Sequence, residues 1–461
     1  MGFTCVAEFV GGVMLKKQFA GVLILVALQA AAEDWTASIE TIHAGTYLPP
    51  TPSQFSHDAR GFHETLLVPG NPAFRKIGYG PTGREYETLP FPTFVYITVD
   101  LAGSSDTIAW VVEDNGPNGG SYPVRLYVEK QGEIQPFNID GSPADYAVTK
   151  AYIGRVSLSD DGSVVTLPTS VCGDCDGQVE AWKLNEANQY QQVISHKPTD
   201  GRPNIGLAAA SSTNRVVSVS NSGTVLNEAS EEIIQTTVSI YNIADGSVLT
   251  EASEEITLVA AQFGYPSSGS SIDISQNGAT LAVVMRPGSA YPNSPTPSGG
   301  VVVFSKPQPC ILQCGWSQKG QVIDAAPSLA GFAYAYETAQ VLLSEDGNTA
   351  AVVTHTDCYA SDGGPSELID PCHSGLITIW DFNSVSDLWE ERKGDGLPIA
   401  VPVPDPTVEH FAGLSGFDAQ RGVLGISVID DNEENFTLMK VTLEESSATG
   451  LPIWLLYEAS Q

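Results

Sequence analysis

One phrase that returns along the chain limits its folding more than any other feature: an apolar strand, a Ser-x-Asp-Gly or Ser-x-Asn-Gly turn, and a second apolar strand. It runs from Val156 through Ser159-Asp160-Asp161-Gly162 to Val165, from Ile272 through Ser275-Gln276-Asn277-Gly278 to Val284, and from Val341 through Ser344-Glu345-Asp346-Gly347 to Val353. Alternating apolar residues bury one face of a strand, and Gly after Asp or Asn supplies the positive φ of a tight turn. Each copy therefore reads as a β-hairpin. A chain that repeats a hairpin must pack the copies together to bury their apolar faces.

Looser copies span Val95 to Val112, with Ala102-Gly103-Ser104-Ser105-Asp106 as the turn, Leu207 to Val219, turning at Ser212-Thr213-Asn214-Arg215, and Phe417 to Val428, turning at Gln420-Arg421-Gly422. That makes six readable copies. A third, aromatic-bearing strand follows at Val124–Val128, Gln178–Leu184, Val238–Ile243, Val301–Phe304 and Leu376–Phe382, and a more polar fourth at Trp316–Gly320 and Trp389–Gly394. Four strands per copy, arranged radially, make a single all-β propeller of six or seven four-stranded blades. This explains 461 residues as one domain, 33–461, where length alone suggests about three. Leu451–Tyr457 is expected to complete the ring, either in its own blade or by joining a strand from the Trp35–His43 region.

The composite of Gly315-Trp316-Ser317-Gln318-Lys319-Gly320, Val341–Val353 and Ser374-Gly375-Leu376-Ile377-Thr378-Ile379-Trp380 resembles the FG-GAP type of β-propeller repeat, found in the integrin alpha-chain head and in secreted or surface proteins. The resemblance implies a propeller used for adhesion and recognition, with calcium as its customary ion. The chain departs from the family pattern in two ways. Phe-Gly stands in a suitable place only at Phe263-Gly264, and the Asp-x-Asp-x-Asp-Gly calcium loop is nowhere complete.

Lys16-Lys17, the apolar run Phe19–Leu28 and Ala30-Ala31-Ala32 are ordered as in a cleaved secretory signal, residues 1–32, with 1–13 an extension ahead of a natural start at Met14. No later run reaches the ~20 apolar residues of a membrane span. Export agrees with the cysteines. Beyond Cys5, six remain in three local pairs, Cys172 with Cys175, Cys310 with Cys314 and Cys358 with Cys372, which read as disulfide staples on loops. Cys172-Gly-Asp-Cys175 can also be read as a redox dithiol or half a zinc site.

The formal charge of −33 excludes nucleic acid as a partner, because binding it requires basic surface. Divalent cations, a cationic partner or solubility in salt remain open. Val225–Ile233 and Val248–Ile256 share Glu-Ala-Ser-Glu-Glu-Ile and read as neighbouring outer strands or a local duplication.

In a propeller the Ser-x-Asp-Gly turns lie on one face and the connections after each second strand on the other. The long connections Asp114–Tyr122, Arg286–Gly300 and His355–Gly375 are of the latter kind, where binding usually resides. His355, Asp357 and His373 have the ligand types for a transition metal. Asp430, Asp431 and Asp114 offer oxygen ligands suited to calcium. All of them read equally as polar loop residues. Asn435-Phe436-Thr437 is a glycosylation acceptor. No Gly-x-Ser-x-Gly elbow, His-Glu-x-x-His helix or phosphate loop occurs, and His57-Asp58 and His63-Glu64 read as an irregular loop ahead of the first blade.

These features describe a secreted, acidic, monomeric propeller that binds an extracellular protein or glycan, with calcium as a candidate ion. An extracellular propeller enzyme acting on a polysaccharide or ester, and a cation-binding wall or matrix component, stand as alternatives.

Overall fold

The computed structural model describes residues 35–46, 54–55, 59, 61–68, 71–80, 83–90, 94–102, 107–114, 124–130, 133–135, 145–146, 152–153, 155–170, 178–196, 204–226, 232–244, 247–259, 271–285, 300–307, 315–324, 337–355, 373–402, 410–430 and 435–445. All regular structure among them is β.

The strands form seven blades, I to VII in chain order. Blade I holds Gln54–Phe55, Gly61–Val68, Asn71–Gly80 and Gly83–Pro90; blade II holds Phe94–Leu101, Thr107–Asp114, Val124–Lys130 and Glu133–Gln135. Blade III holds Ser157–Leu158, Val164–Ser170, Val179–Leu184 and Tyr190–His196; blade IV holds Asn204–Ser211, Arg215–Leu226, Glu232–Asn242 and Glu254–Val259. Blade V holds Ile272–Ile274, Thr280–Met285, Gly300–Ser305 and Ser317–Gln318, and blade VI holds Glu337–Leu343, Thr349–His355, His373–Asn383 and Leu388–Glu391. Blade VII takes His410–Asp418, Val423–Asp430 and Asn435–Glu445 from the end of the chain. Its outer strand is Trp35–Thr46, paired antiparallel with Asn435–Glu445 from Trp35↔Glu445 to Thr46↔Asn435.

The inner strands touch one another in order, and the inner strand of blade I meets blade VII on one side and blade II on the other, so the ring closes. The amino-terminal strand therefore completes the last blade, and its partner is Asn435–Glu445, where the sequence reading expects Leu451–Tyr457 to take part in the closure. Residues 451–457 lie outside the described residues. Closure of this kind removes the free sheet edge that an open ring would present.

The core lies between blades. Along the second strand of blade V, Leu281, Val283 and Met285 pack against blade IV, while Ala282 and Val284 pack against blade VI. Both faces of the strand are buried, so it reads as an unbroken apolar run instead of an alternating one. The same division holds in blade VI, where Ala351 and Val353 face blade VII and Ala350 and Val352 face blade V.

Blade I lacks the glycine turn and escapes a search for it. Its first and second strands are joined across Ala59, whose φ of 54° occupies the left-handed region that Gly162, Gly278 and Gly347 fill elsewhere. Ser56-His57-Asp58-Ala59 is thus the repeated phrase with Ala in the place of Gly. The residues read as an irregular loop introduce a blade: His63 and Glu64 belong to its second strand, and His57 and Asp58 fall outside the described residues. The duplicated acidic stretches are not neighbouring outer strands. The first bridges the second and third strands of blade IV, and only the second enters its outer strand.

Candidate functional site: the rim of second-strand ends

The two faces of the ring are built differently. On the turn face, each Ser-x-Asp-Gly unit consumes its own polar groups. In blade VI, Ser344 Oγ donates to Asp346 Oδ1 at 2.7 Å, the Asn348 N–H donates to the same oxygen at 3.0 Å, and the Thr349 N–H donates to Ser344 Oγ at 2.9 Å. Burial works to raise the Asp346 carboxyl, but its bonds from Ser344 and Asn348 and the Lys319 charge hold it below its usual range. The Gly347 φ of 71° closes the turn, and its N–H bonds Ser344 O at 2.9 Å.

The turns are then tied to one another. Gln276 Oε1 of blade V accepts from Ser212 Oγ of blade IV at 2.9 Å and from the Asp160 N–H of blade III at 2.9 Å. Asn277 donates through its backbone N–H to Glu345 O at 3.2 Å and through Nδ2 to Asp346 O at 3.1 Å. Blades III to VI are thereby knit along this face.

A second set of ties runs through cations and outer-strand aromatics. Arg215 of blade IV donates to Gly278 O of blade V and lies 5.8 Å from the centre of the Trp316 ring. Lys319 of blade V donates to Gly347 O of blade VI at 2.6 Å and lies 5.3 Å from the centre of the Trp389 ring and 4.5 Å from that of Phe382. Arg392 of blade VI lies 3.9 Å from the centre of the Trp35 ring in blade VII. Each cation thus stacks on the outer-strand tryptophan of the following blade. Burial lowers the Lys319 pKa to about 8, with Asp346 opposing the shift. In blade III the aromatic supplies the donor itself, Tyr190 OH to Gly162 O. The Trp-x-x-Lys and Trp-x-x-Arg spacings at Trp316/Lys319 and Trp389/Arg392 are the sequence trace of this device.

The opposite rim collects the ends of the second strands, and most of the candidate residues fall there. Asp114 ends the second strand of blade II, His355 that of blade VI and Asp430 that of blade VII, while His373 and Asn435 begin the third strands of blades VI and VII. Antiparallel pairing through Thr354↔Leu376 brings the His355 and His373 ends side by side, and blade VII with Asp430 is the neighbouring blade. Asp114 stands apart, with blade I between blades VII and II. Cys172, Cys175, Asp357, Cys358, Cys372 and Asp431 lie outside the described residues, in connections that leave from this rim. Cys310 and Cys314, also outside them, belong to a connection on the turn face. Among the described residues no group of three or more His, Cys, Asp or Glu side chains is close enough to hold a metal ion. No helix among them is long and apolar enough to cross a membrane.

Near this rim sits a titratable group that sequence reading passes over. Glu180, in the third strand of blade III, is 6% exposed; Gln192 Nε2 donates to its Oε1 at 3.2 Å, and Oε2 has no partner. Burial pushes its carboxyl up to about 8, against the bond from Gln192. Only its place between Val179 and Ala181 in an apolar strand hints at this. At the end of the outer strand of blade III, His196 Nδ1 shares a hydrogen bond of 2.7 Å with Tyr241 OH of blade IV, and burial raises the tyrosine pKa to about 12.

No protein-family model matches the chain, and no curated protein matches it. Among solved structures, the chain is similar to the β-propeller domain of the Trilobed protease from Pyrococcus furiosus, at 10% identity over 73% of this chain and 80% of that one, with a TM-score of 0.37. Hydrazine synthase of Kuenenia stuttgartiensis aligns at 11% identity over 86% of this chain and 96% of that one, with a TM-score of 0.42. Prolyl oligopeptidase B from Galerina marginata aligns at 11% identity and a TM-score of 0.37; the match takes in 84% of this chain and spans 47% of the enzyme. Likeness at this level carries no argument about activity.

Proposed function

We propose that this chain is an exported recognition scaffold that binds an extracellular protein or glycan through the rim of second-strand ends. The observation that supports the reading is the asymmetry of the two faces. The turns spend their polar groups on holding blades together, while the connections after residues 114, 285 and 355 leave from the other rim, where a rigid ring presents variable segments. The charge of −33 favours a partner surface that is cationic or carries cations, since complementary fields speed encounter and select against acidic partners. Calcium is the ion expected to accompany such a rim, with Asp430 and Asp431 offering carboxylates at one place on it and Asp114 at another. Adhesion of the FG-GAP kind belongs to this proposal.

The test is a binding screen of the exported chain against extracellular proteins and a glycan panel, repeated with residues 356–372 replaced by a short Gly-Ser turn. Loss of the bound partner in that variant, with unfolding unchanged, is the expected result. Binding that survives this replacement and the equivalent one at 286–299 overturns the assignment to this rim.

A further inference from the structure

Backbone donors at the free edge of the inner strands are met by side chains from the preceding blade. Ser271 Oγ, four residues ahead of the turn serine Ser275 of blade V, accepts the Val341 N–H of blade VI at 2.8 Å. Gln340, at the same place in blade VI, accepts the Leu414 N–H of blade VII at 2.6 Å. In blade III this place belongs to Arg155. Val156 and Leu158 pack toward blade II, so strand alternation turns Arg155 toward blade IV. Ala208 stands there in the position of Val341, pairing with Ser218 as Val341 pairs with Val352, and is 8% exposed. A guanidinium carries five N–H donors and no acceptor, so it cannot receive the Ala208 N–H.

Donors therefore face donors across the step from blade III to blade IV, and among the described residues neither the Arg155 guanidinium nor the Ala208 N–H has an acceptor. Arg155 is exposed, yet burial lowers its pKa, with Asp100 of blade II opposing the shift. A side chain that is both wet and enclosed lines the central channel of the ring. We propose that Arg155 and the Ala208 N–H bind a carboxylate in this channel, the guanidinium donating to both oxygens and the backbone N–H to one of them. A chain of charge −33 repels a ligand of high negative charge, so the carboxylate is carried on a neutral or cationic body, as in a monocarboxylic acid or the C-terminus of a peptide. The site is built on inner strands and does not rest on the role proposed for the rim connections.

Titration of the isotopically labelled chain with acetate, N-acetyl-triglycine and N-acetyl-triglycine amide, followed by NMR at one ionic strength, tests the site. The Arg155 Nε–H and Ala208 amide signals should move saturably with a carboxylate and stay in place with the amide. Saturation by acetate as well as by the peptide assigns the site to free acids, and saturation by the peptide alone assigns it to peptide C-termini. R155M should weaken binding at least about tenfold, the scale of one charge-assisted bond. R155Q should do the same while carrying the residue type that blade VI uses at this place, and unmoved amide signals of segment 280–285 report that its fold is kept. Shifts in the parent that grow linearly with every probe, saturation by the amide, or unchanged affinity in R155Q each overturn the site.

Discussion

Asp273 in the inner strand of blade V accepts the backbone N–H of Leu343 in the inner strand of blade VI at 2.6 Å. Asp100 of blade II does the same for Leu158 of blade III, at 2.6 Å and at the equivalent place, two residues ahead of the turn. Blade VI lacks this acid, and Gln340 reaches Leu414 of blade VII instead, also at 2.6 Å. An inner strand has one edge without a ladder partner, and a side chain from the preceding blade satisfies one of its donors. Asp273→Ala should cost about 2 kcal/mol, because it strands a donor that bonded a charged acceptor, and Asp273→Asn roughly half as much. Urea unfolding followed by tryptophan fluorescence gives both values. Equal stability of all three chains would remove the hook from the account.

Ala59 holds a conformation that costs an L-residue about 1–2 kcal/mol and glycine little. Ala59→Gly is therefore expected to stabilise the chain by about 0.5–1 kcal/mol after glycine's larger entropy loss is counted. Loss of stability in the same unfolding measurement would mean that packing around the buried methyl outweighs the backbone term.

Glu180 gives stability a pH dependence whose sign follows from the direction of its shift. The folded chain holds this proton up to about pH 8, whereas the unfolded chain releases it near the ordinary glutamate value of 4.5. The folded state binds more protons within that window, so stability falls as pH rises through it. Glu180→Gln should leave stability unchanged at pH 4 and raise it by on the order of 3 kcal/mol at pH 8.5. Thermal melts of both chains across that range check the prediction, and parallel pH profiles would contradict it.

Lys319 has the opposite window. Its folded pKa of about 8 lies below the ordinary lysine value of 10.5, so its contribution to stability grows as pH climbs between the two. Lys319→Met should cost about 1–3 kcal/mol at pH 7 through lost bonds to Gly347 O and Asn348 Oδ1, and the deficit should widen toward pH 10. Denaturant titrations at pH 7 and pH 9.5 measure both. A deficit that narrows with pH would show that attraction to Asp346 and the rings outweighs burial.

The hairpins were legible because each turn needs a left-handed residue and each second strand is buried on both faces, which leaves a glycine and an apolar run in the sequence. Ala59 hid a blade because an alanine in a strained turn leaves no such mark. Trp316 and Trp389 could be placed on outer strands, but their cations could not be matched to them. Each tie joins residues a whole blade apart, such as Lys319 and Trp389, and depends on a ring geometry that strand periodicity does not encode. Glu180 was hidden for a related reason, since its raised pKa comes from burial that the pattern of its own strand does not encode. Asp114, His355 and His373 are assigned to connections after second strands from the hairpin order alone, and the fold places their strand ends on that rim, with Asp430 joining them there. Their chemistry depends on the connections themselves.

The central claim is that recognition belongs to the rim and stability to the turn face. It is tested most directly by measuring partner affinity and unfolding free energy together on two variants: one with residues 356–372 replaced by a Gly-Ser turn, the other carrying Gln276→Ala. The rim variant should lose at least about tenfold in affinity, or ~1.4 kcal/mol, with its stability kept, and Gln276→Ala should lose about 1–2 kcal/mol of stability with its affinity kept. The reverse pattern, affinity lost at Gln276 and kept at the rim, would contradict it.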